Sequence, residues 1–212
     1  MIYLVKSPWL LKRYYSECIW KIKTTEKVLY LTFDDGPDPD ATSFVLDELK
    51  KYEAKATFFC IGKNVSLHFE TYKRILTEGH AVGNHTYDHL NGWKTQDKQY
   101  LENIDAAAKI IDSQLFRPPY GRITKFQLST IRGEKLQMKT IMWDVLSGDF
   151  DKKIKPENCY LNVINHAREG SIVVFHDSLK SLPVLQPTLP KVLQYFSEKG
   201  FQFKALSPSL FK

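Results

Sequence analysis

Apolar runs closed by glycine or proline alternate with helix-period segments from residue 28 to residue 206, and this alternation limits the folds open to the chain. Runs at 28–33, 56–61, 80–84, 115–116, 138–143, 171–175 and 201–206 read as seven strands. Segments 41–52, 67–77, 96–112, 125–132, 156–168 and 189–199 read as helices, with Pro156 near a helix start, where its missing N–H costs nothing. Strand–helix alternation implies parallel strands joined by helical crossovers, and continuously apolar strands imply a sheet covered on both faces. The expected fold is therefore α/β in a single domain, either a barrel one repeat short of eight or an open doubly wound sheet. A chain of 212 residues can bury such a core without disulfides.

Charge and cysteine usage narrow the function classes. The net charge of +6 is modest and the lysines are scattered, with no dense basic stripe of the kind nucleic acid requires. Cys18, Cys60 and Cys159 form no CxxC pair, which argues against a thiolate zinc site. Three cysteines also make a poor disulfide framework and suit a reducing compartment. Residues 1–26 read as an N-terminal segment packing on a main domain over 27–212. Trp9, Leu10, Leu11, Tyr14, Tyr15 and Trp20 are expected to plug one end of that domain rather than lie on a membrane. Lys6, Pro8, Lys12 and Arg13 interrupt the segment, so it reads as neither a signal peptide nor a transmembrane span, and the expected location is the cytoplasm.

In parallel α/β folds, sites form at the carboxyl ends of strands. The unusual polar residues collect there: Asp34 and Asp35 after the first strand, His85 and His89 after the third, Arg117 after the fourth, Asp144 and Asp149 after the fifth, His176 and Asp177 after the sixth. Alternation at a strand end should turn Asp34 and Asp35 in different directions, one toward a metal and one toward a proton, although Asp-Asp-Gly-Pro also reads as an ordinary turn. His85 and His89 are four apart, a spacing that on one helical turn chelates a metal. With Asp35 they make a sulfur-free ligand set suited to zinc, with cobalt, iron, nickel or manganese as alternatives. His176 reads as a proton donor or a buried structural histidine, and Arg117 as a fixed cation beside a carboxylate or a surface residue. Asp149 reads as an imidazole-orienting carboxylate or a loop cap. No nucleophile elbow, Walker loop or dinucleotide fingerprint occurs.

Five stretches in order, TFDDGP (32–37), HTYDH (85–89), RPPYG (117–121), WDVLSGD (143–149) and VVFHD (173–177), resemble the polysaccharide deacetylase family, the NodB homology domain or carbohydrate esterase family four. The resemblance implies a distorted (β/α) barrel of about seven parallel strands and metal-dependent removal of an acetyl group from an acetylated sugar or glycan, usually one containing N-acetylglucosamine. By the same resemblance, Asp35, His85 and His89 hold the metal, most simply zinc. Asp34 is the general base, Arg117 positions it, and His176 is the acid, tuned by Asp149. Tyr120 supplies a backbone N–H to the oxyanion, and Pro119 and Trp143 join it in binding substrate. Two positions depart from the pattern: Leu146 where many members carry an acidic residue, and Phe150 where many have Trp. Both bear on the substrate groove. The alternatives are hydrolysis of another C–N bond in a small metabolite and glycan recognition without catalysis.

Overall fold

The computed structural model describes residues 3–134 and 136–211. Eight strands form in chain order: β1 (Val28–Asp34), β2 (Thr57–Cys60), β3 (Ala81–Asn84), β4 (Leu115–Phe116), β5 (Lys139–Thr140), β6 (Val145–Leu146), β7 (Ile172–His176) and β8 (Gln202–Phe203). Seven run as one parallel path, β5-β4-β3-β2-β1-β7-β6, and β8 pairs with the start of β1. The helices are α1 (Trp9–Tyr14), α2 (Ala41–Lys50), α3 (Gly62–Leu67), α4 (Phe69–Thr77), α5 (Asp97–Ala108), α6 (Lys125–Arg132), α7 (Pro156–His166) and α8 (Leu182–Glu198). The architecture is a single α/β domain whose parallel sheet curls into a distorted half-barrel.

Every residue of β1 is buried, because the strand is covered on both sides. Leu29, Leu31 and Phe33 face the helices, where Phe33 stacks on Phe58 and Phe175 at centroid distances of 5.2 and 5.9 Å. Each such ring pair contributes about 0.5–1.5 kcal/mol beyond its burial. Val28 and Tyr30 face the interior of the curl, with Phe59, Leu115, Ile141, Ile172 and Leu206. Cys18, Cys60 and Cys159 are all buried free thiols.

Three expected elements differ. The strand over 138–143 is only two residues long as β5. From Ile141 the chain leaves β4 and crosses to the opposite end of the sheet, where Val145 and Leu146 pair with β7 as an additional strand. The two sheet edges are thus joined by residues 141–144 alone. The N-terminal segment supplies hydrogen bonds along that crossing: Ile19 N–H to Thr140 O (2.9 Å), Met142 N–H to Ile19 O (2.8 Å), Ser7 N–H to Asp144 O (3.1 Å) and Leu146 N–H to Val5 O (2.8 Å). The helix expected over 67–77 begins at Phe69 as α4, and an unexpected helix, α3, precedes it, the two separated at His68, whose φ of −127° and ψ of 49° are not helical. The helix over 189–199 begins at Leu182 and runs through Pro187 and Pro190. Val184, Leu185, Leu189, Val192, Leu193 and Phe196 form its buried stripe against α2 and α7, and that packing outweighs the two lost amide donors. Among the described residues no helix is long and apolar enough to cross a membrane.

Candidate active site

Side-chain alternation brings the site together. Asp34 shares the parity of Val28 and Tyr30 on β1, so it faces the interior. His176 follows Ile172 on β7 with the same parity, and Arg117 follows Leu115 of β4. Asp34 and His176 are register partners on neighbouring strands.

Arg117 is fully buried. Its Nη1 donates to Asp34 Oδ1 and Thr32 Oγ1, both at 2.7 Å, while Nε and Nη2 donate to the carbonyls of Ile141 and Met142 at 3.1 Å. The guanidinium lies 4.0 Å from the ring centre of Phe59. Burial pulls the guanidinium pKa below its usual value, against the opposing pull of Asp34, yet such a group stays charged in proteins. Asp34 is therefore held by a rigid cation on its interior side.

Asp35 adopts φ +80°, which turns it away from Asp34 toward the two histidines. His85 Nδ1 is 2.8 Å from the carbonyl of Arg117. A carbonyl only accepts, so Nδ1 carries the proton and Nε2 presents its lone pair. That Nε2 is 3.7 Å from Asp35 Oδ1, and His89 Nε2 is 3.1 Å from the same oxygen. Asp35 Oδ1 is buried with no hydrogen-bond donor. Burial pushes the His85 pKa down to about 4, so the ring is neutral near pH 7, as a ligand must be. Burial alone would raise the Asp35 carboxyl; contact with His89 and the charges of His176 and His85 hold it well below the usual range. Ligand atoms of Asp35, His85 and His89 all lie within 4.8 Å of one another. An orphaned carboxylate oxygen faced by an imidazole lone pair is stable with a cation between them, and the donor set fits zinc.

The histidine pair does not sit on a helical turn, as its spacing suggested. Residues 85–89 form a loop with Thr86 at φ +63° and His89 at φ +58°, and the ring centroids are 5.1 Å apart. Amide side chains hold this loop, and the motifs did not single them out. Asn84 Oδ1 accepts from Thr86 N–H at 2.8 Å, Asn103 Oδ1 accepts from Tyr87 and Asp88 N–H at 2.8 and 2.9 Å, and Asn64 donates to the Asp35 carbonyl at 2.7 Å. A buried Asn beside His85 at a strand end was the available signal for Asn84.

His176 Nδ1 is 2.8 Å from Asp149 Oδ1, and its backbone N–H donates to Asp149 Oδ2 at 2.7 Å. Ser147 Oγ holds Asp149 from behind at 3.0 Å. Burial would lower the His176 pKa, but the charge and hydrogen bond of Asp149, with Asp35 and Asp34 behind it, push it up to about 9. The fold thus favours the imidazolium. Its stabilisation is complete below the ordinary value of 6.5 and is lost as pH rises through about 9. In metal-free protein, an NMR titration is expected to place His176 near 9. In Asp149→Asn the midpoint should fall by more than one unit, because burial then meets less opposition; an unmoved midpoint would refute the role given to Asp149.

Of the three residues expected to bind substrate, Tyr120 is exposed, with its ring centroid 4.7 Å from that of His89. Pro119 is buried beneath the turn, and Trp143 is partly buried. Gly121, at φ +64°, fits between them because a Cβ there would approach Trp143 Cη2 to 2.6 Å. Phe150 packs on the His176 ring at 5.2 Å and is backed by Tyr3 at 5.2 Å.

Two of the strand-end carboxylates do other work. Asp144 pairs with Lys6 and Lys12, each at 2.6 Å, and accepts from Ser171 Oγ at 2.7 Å, which ties the N-terminal segment to the sheet. Asp177 accepts from Gly36 N–H at 3.1 Å and Thr42 Oγ1 at 2.5 Å, fixing the turn after Asp35; a Cβ at Gly36 would overlap the Asp177 carboxylate.

A parallel half-barrel with an Asp34–Arg117 pair, a His176–Asp149 pair and a candidate metal cluster at its carboxyl end accords with the family described as polysaccharide deacetylase, a family of hydrolases. Residues 21–138 match that family, and the chain belongs to it. It is 34% identical over 197 residues to a peptidoglycan-N-acetylglucosamine deacetylase of Bacillus cereus, covering 90% of this chain and 92% of the relative. It is 32% identical over 192 residues to the peptidoglycan-N-acetylmuramic acid deacetylase PdaC of Bacillus subtilis, covering 88% of this chain and 39% of that protein. A solved peptidoglycan N-acetylglucosamine deacetylase in complex with 4-naphthalen-1-yl-N-oxidanyl-benzamide superposes with a TM-score of 0.86 at 30% identity, covering 96% of both chains.

Proposed function

We propose that this protein removes N-acetyl groups from an N-acetylglucosamine-type sugar of an extended glycan, with Asp35, His85 and His89 holding one divalent cation, most simply zinc. The observation that carries the reading is the buried Asp35 Oδ1, which faces two imidazoles without a donor, beside the Asp34–Arg117 and His176–Asp149 pairs. The relatives named as deacetylases of acetylated peptidoglycan sugars support the substrate class.

A cation held by Asp35, His85 and His89 would supply Lewis acidity toward the acyl oxygen and the attacking water. Asp34, fixed by Arg117, takes that proton as the water oxygen bonds to the acyl carbon. The backbone N–H of Tyr120 is the donor assigned to the developing oxyanion. His176, kept protonated by Asp149, gives its proton to the amide nitrogen as the C–N bond breaks. An amine leaves poorly unless protonated, so the acid is as necessary as the base. Acetate and the free amino sugar are the products.

Metal content and acetate release from N-acetylglucosamine oligomers, before and after chelation, test the reading. About one equivalent of metal is expected, with acetate release lost on chelation and restored by zinc. Acetate release that survives complete removal of metal would overturn it.

A further inference from the structure

Arg122 and Trp93 form an exposed pair, close in sequence to Tyr120 and His89 of the candidate site, that no step above uses. The Arg122 guanidinium lies 4.1 Å from the centre of the Trp93 ring system, and among the described residues Arg122 has no carboxylate partner. Trp93 keeps 53% of its surface exposed while its indole N–H donates to the Ile123 carbonyl at 3.0 Å. Its own backbone N–H donates to Asn91 Oδ1 at 3.0 Å. The indole is thus fixed at its edge and on one flank, with over half its surface turned to solvent.

The pair's position relates it to the chemistry. Trp93 follows the candidate ligand His89 by four residues. Arg122 follows Tyr120 by two, at most about 7 Å of chain, and the Tyr120 ring packs on His89. Gly121 between them is seated against Trp143, so Arg122 leaves a rigid turn rather than a loose loop. An exposed indole offers a flat apolar face for a pyranose ring. A guanidinium already oriented over that indole offers a planar fork that matches a carboxylate, with part of its ordering cost already met.

We infer that Trp93 and Arg122 form a subsite for an acidic glycan unit next to the sugar at the metal centre; this rests on the glycan reading above. Trp93 stacks the neighbouring sugar and Arg122 pairs with a carboxylate carried by the glycan. That carboxylate has two sources in an N-acetylmuramic-acid-containing strand, the lactyl ether or the acidic residues of an attached peptide.

Calorimetric binding to the metal-loaded full chain separates the possibilities, measured in an Asp34→Asn background so that affinity does not depend on turnover. The probes are chitotetraose, a peptide-free tetrasaccharide alternating N-acetylglucosamine with N-acetylmuramic acid, and the same tetrasaccharide carrying its peptides. Arg122→Gln is expected to lower the preference for an acidic probe over chitotetraose by about threefold to tenfold, the scale of an exposed but geometrically matched ion pair, with a smaller loss at high salt. Arg122→Lys should recover part of the preference, and Trp93→Ala should weaken all three probes. A loss confined to the peptide-free probe assigns the lactyl carboxylate, and a loss confined to the peptide-bearing probe assigns the peptide. An unchanged preference in Arg122→Gln for both acidic probes overturns the inference. Failure of the native protein to release acetate would sink the deacetylase reading and leave this comparison of affinities intact.

Discussion

Asp34→Asn is expected to lower acetate release by about 100-fold to 10,000-fold while leaving bound metal near one equivalent. The size follows from removing the base from a proton transfer, a contribution of about that magnitude in general acid–base catalysis. Metal is retained because Asp34 turns inward to Arg117, whereas Asp35 turns to the histidines. The change is nearly isosteric, so the Arg117 Nη1 contact keeps an oxygen to meet and the sheet register with His176 persists. Metal analysis and single-turnover acetate assays on one preparation read both quantities. Loss of the metal with the activity would place Asp34 among the ligands, and retained activity would remove it from the mechanism.

Arg117→Met is expected to be the most damaging substitution for stability, by about 3–5 kcal/mol, as for breaking one partner of a buried ion pair. The variant removes the donors that meet Asp34, Thr32 and the carbonyls of Ile141 and Met142. It leaves a carboxylate facing an apolar interior lined by Phe59 and Ile141. Thermal unfolding should shift down by about 6–20 °C for a chain of this size. The double variant Arg117→Met with Asp34→Asn should recover part of that loss, because no buried charge then lacks a partner. If the double variant loses the sum of the two single effects, Arg117 is a packing residue and the pairing with Asp34 carries no stability.

Much of this arrangement was legible in the sequence. Parallel topology followed from alternation, and the clustering of Asp34, Asp35, His85, His89, Arg117, Asp149 and His176 at one end followed from their places after apolar runs. The errors have physical causes. The strand expected over 138–143 looked continuous because Ile141 and Met142 are apolar, but they are buried as a crossing between sheet edges rather than as a ladder. The helix read over 189–199 began seven residues late, because α8 starts at Leu182 and its buried stripe carries it through Pro187 and Pro190. Asp144 looked equivalent to Asp149 by position, yet Lys6 and Lys12, more than 130 residues away in sequence, claim it.

The sequence by itself determined the strand–helix alternation and which reactive groups end the main strands, because hydrophobic period and Gly-Pro punctuation act over a few residues. Only the tertiary structure decided the pairings: Asp34 with Arg117, His176 with Asp149, and His85 with the Arg117 carbonyl that fixes its tautomer. Each of those contacts joins segments separated by at least 27 residues. Such contacts depend on strand order and register, which arise from burying the whole sheet at once rather than from any local stretch of chain.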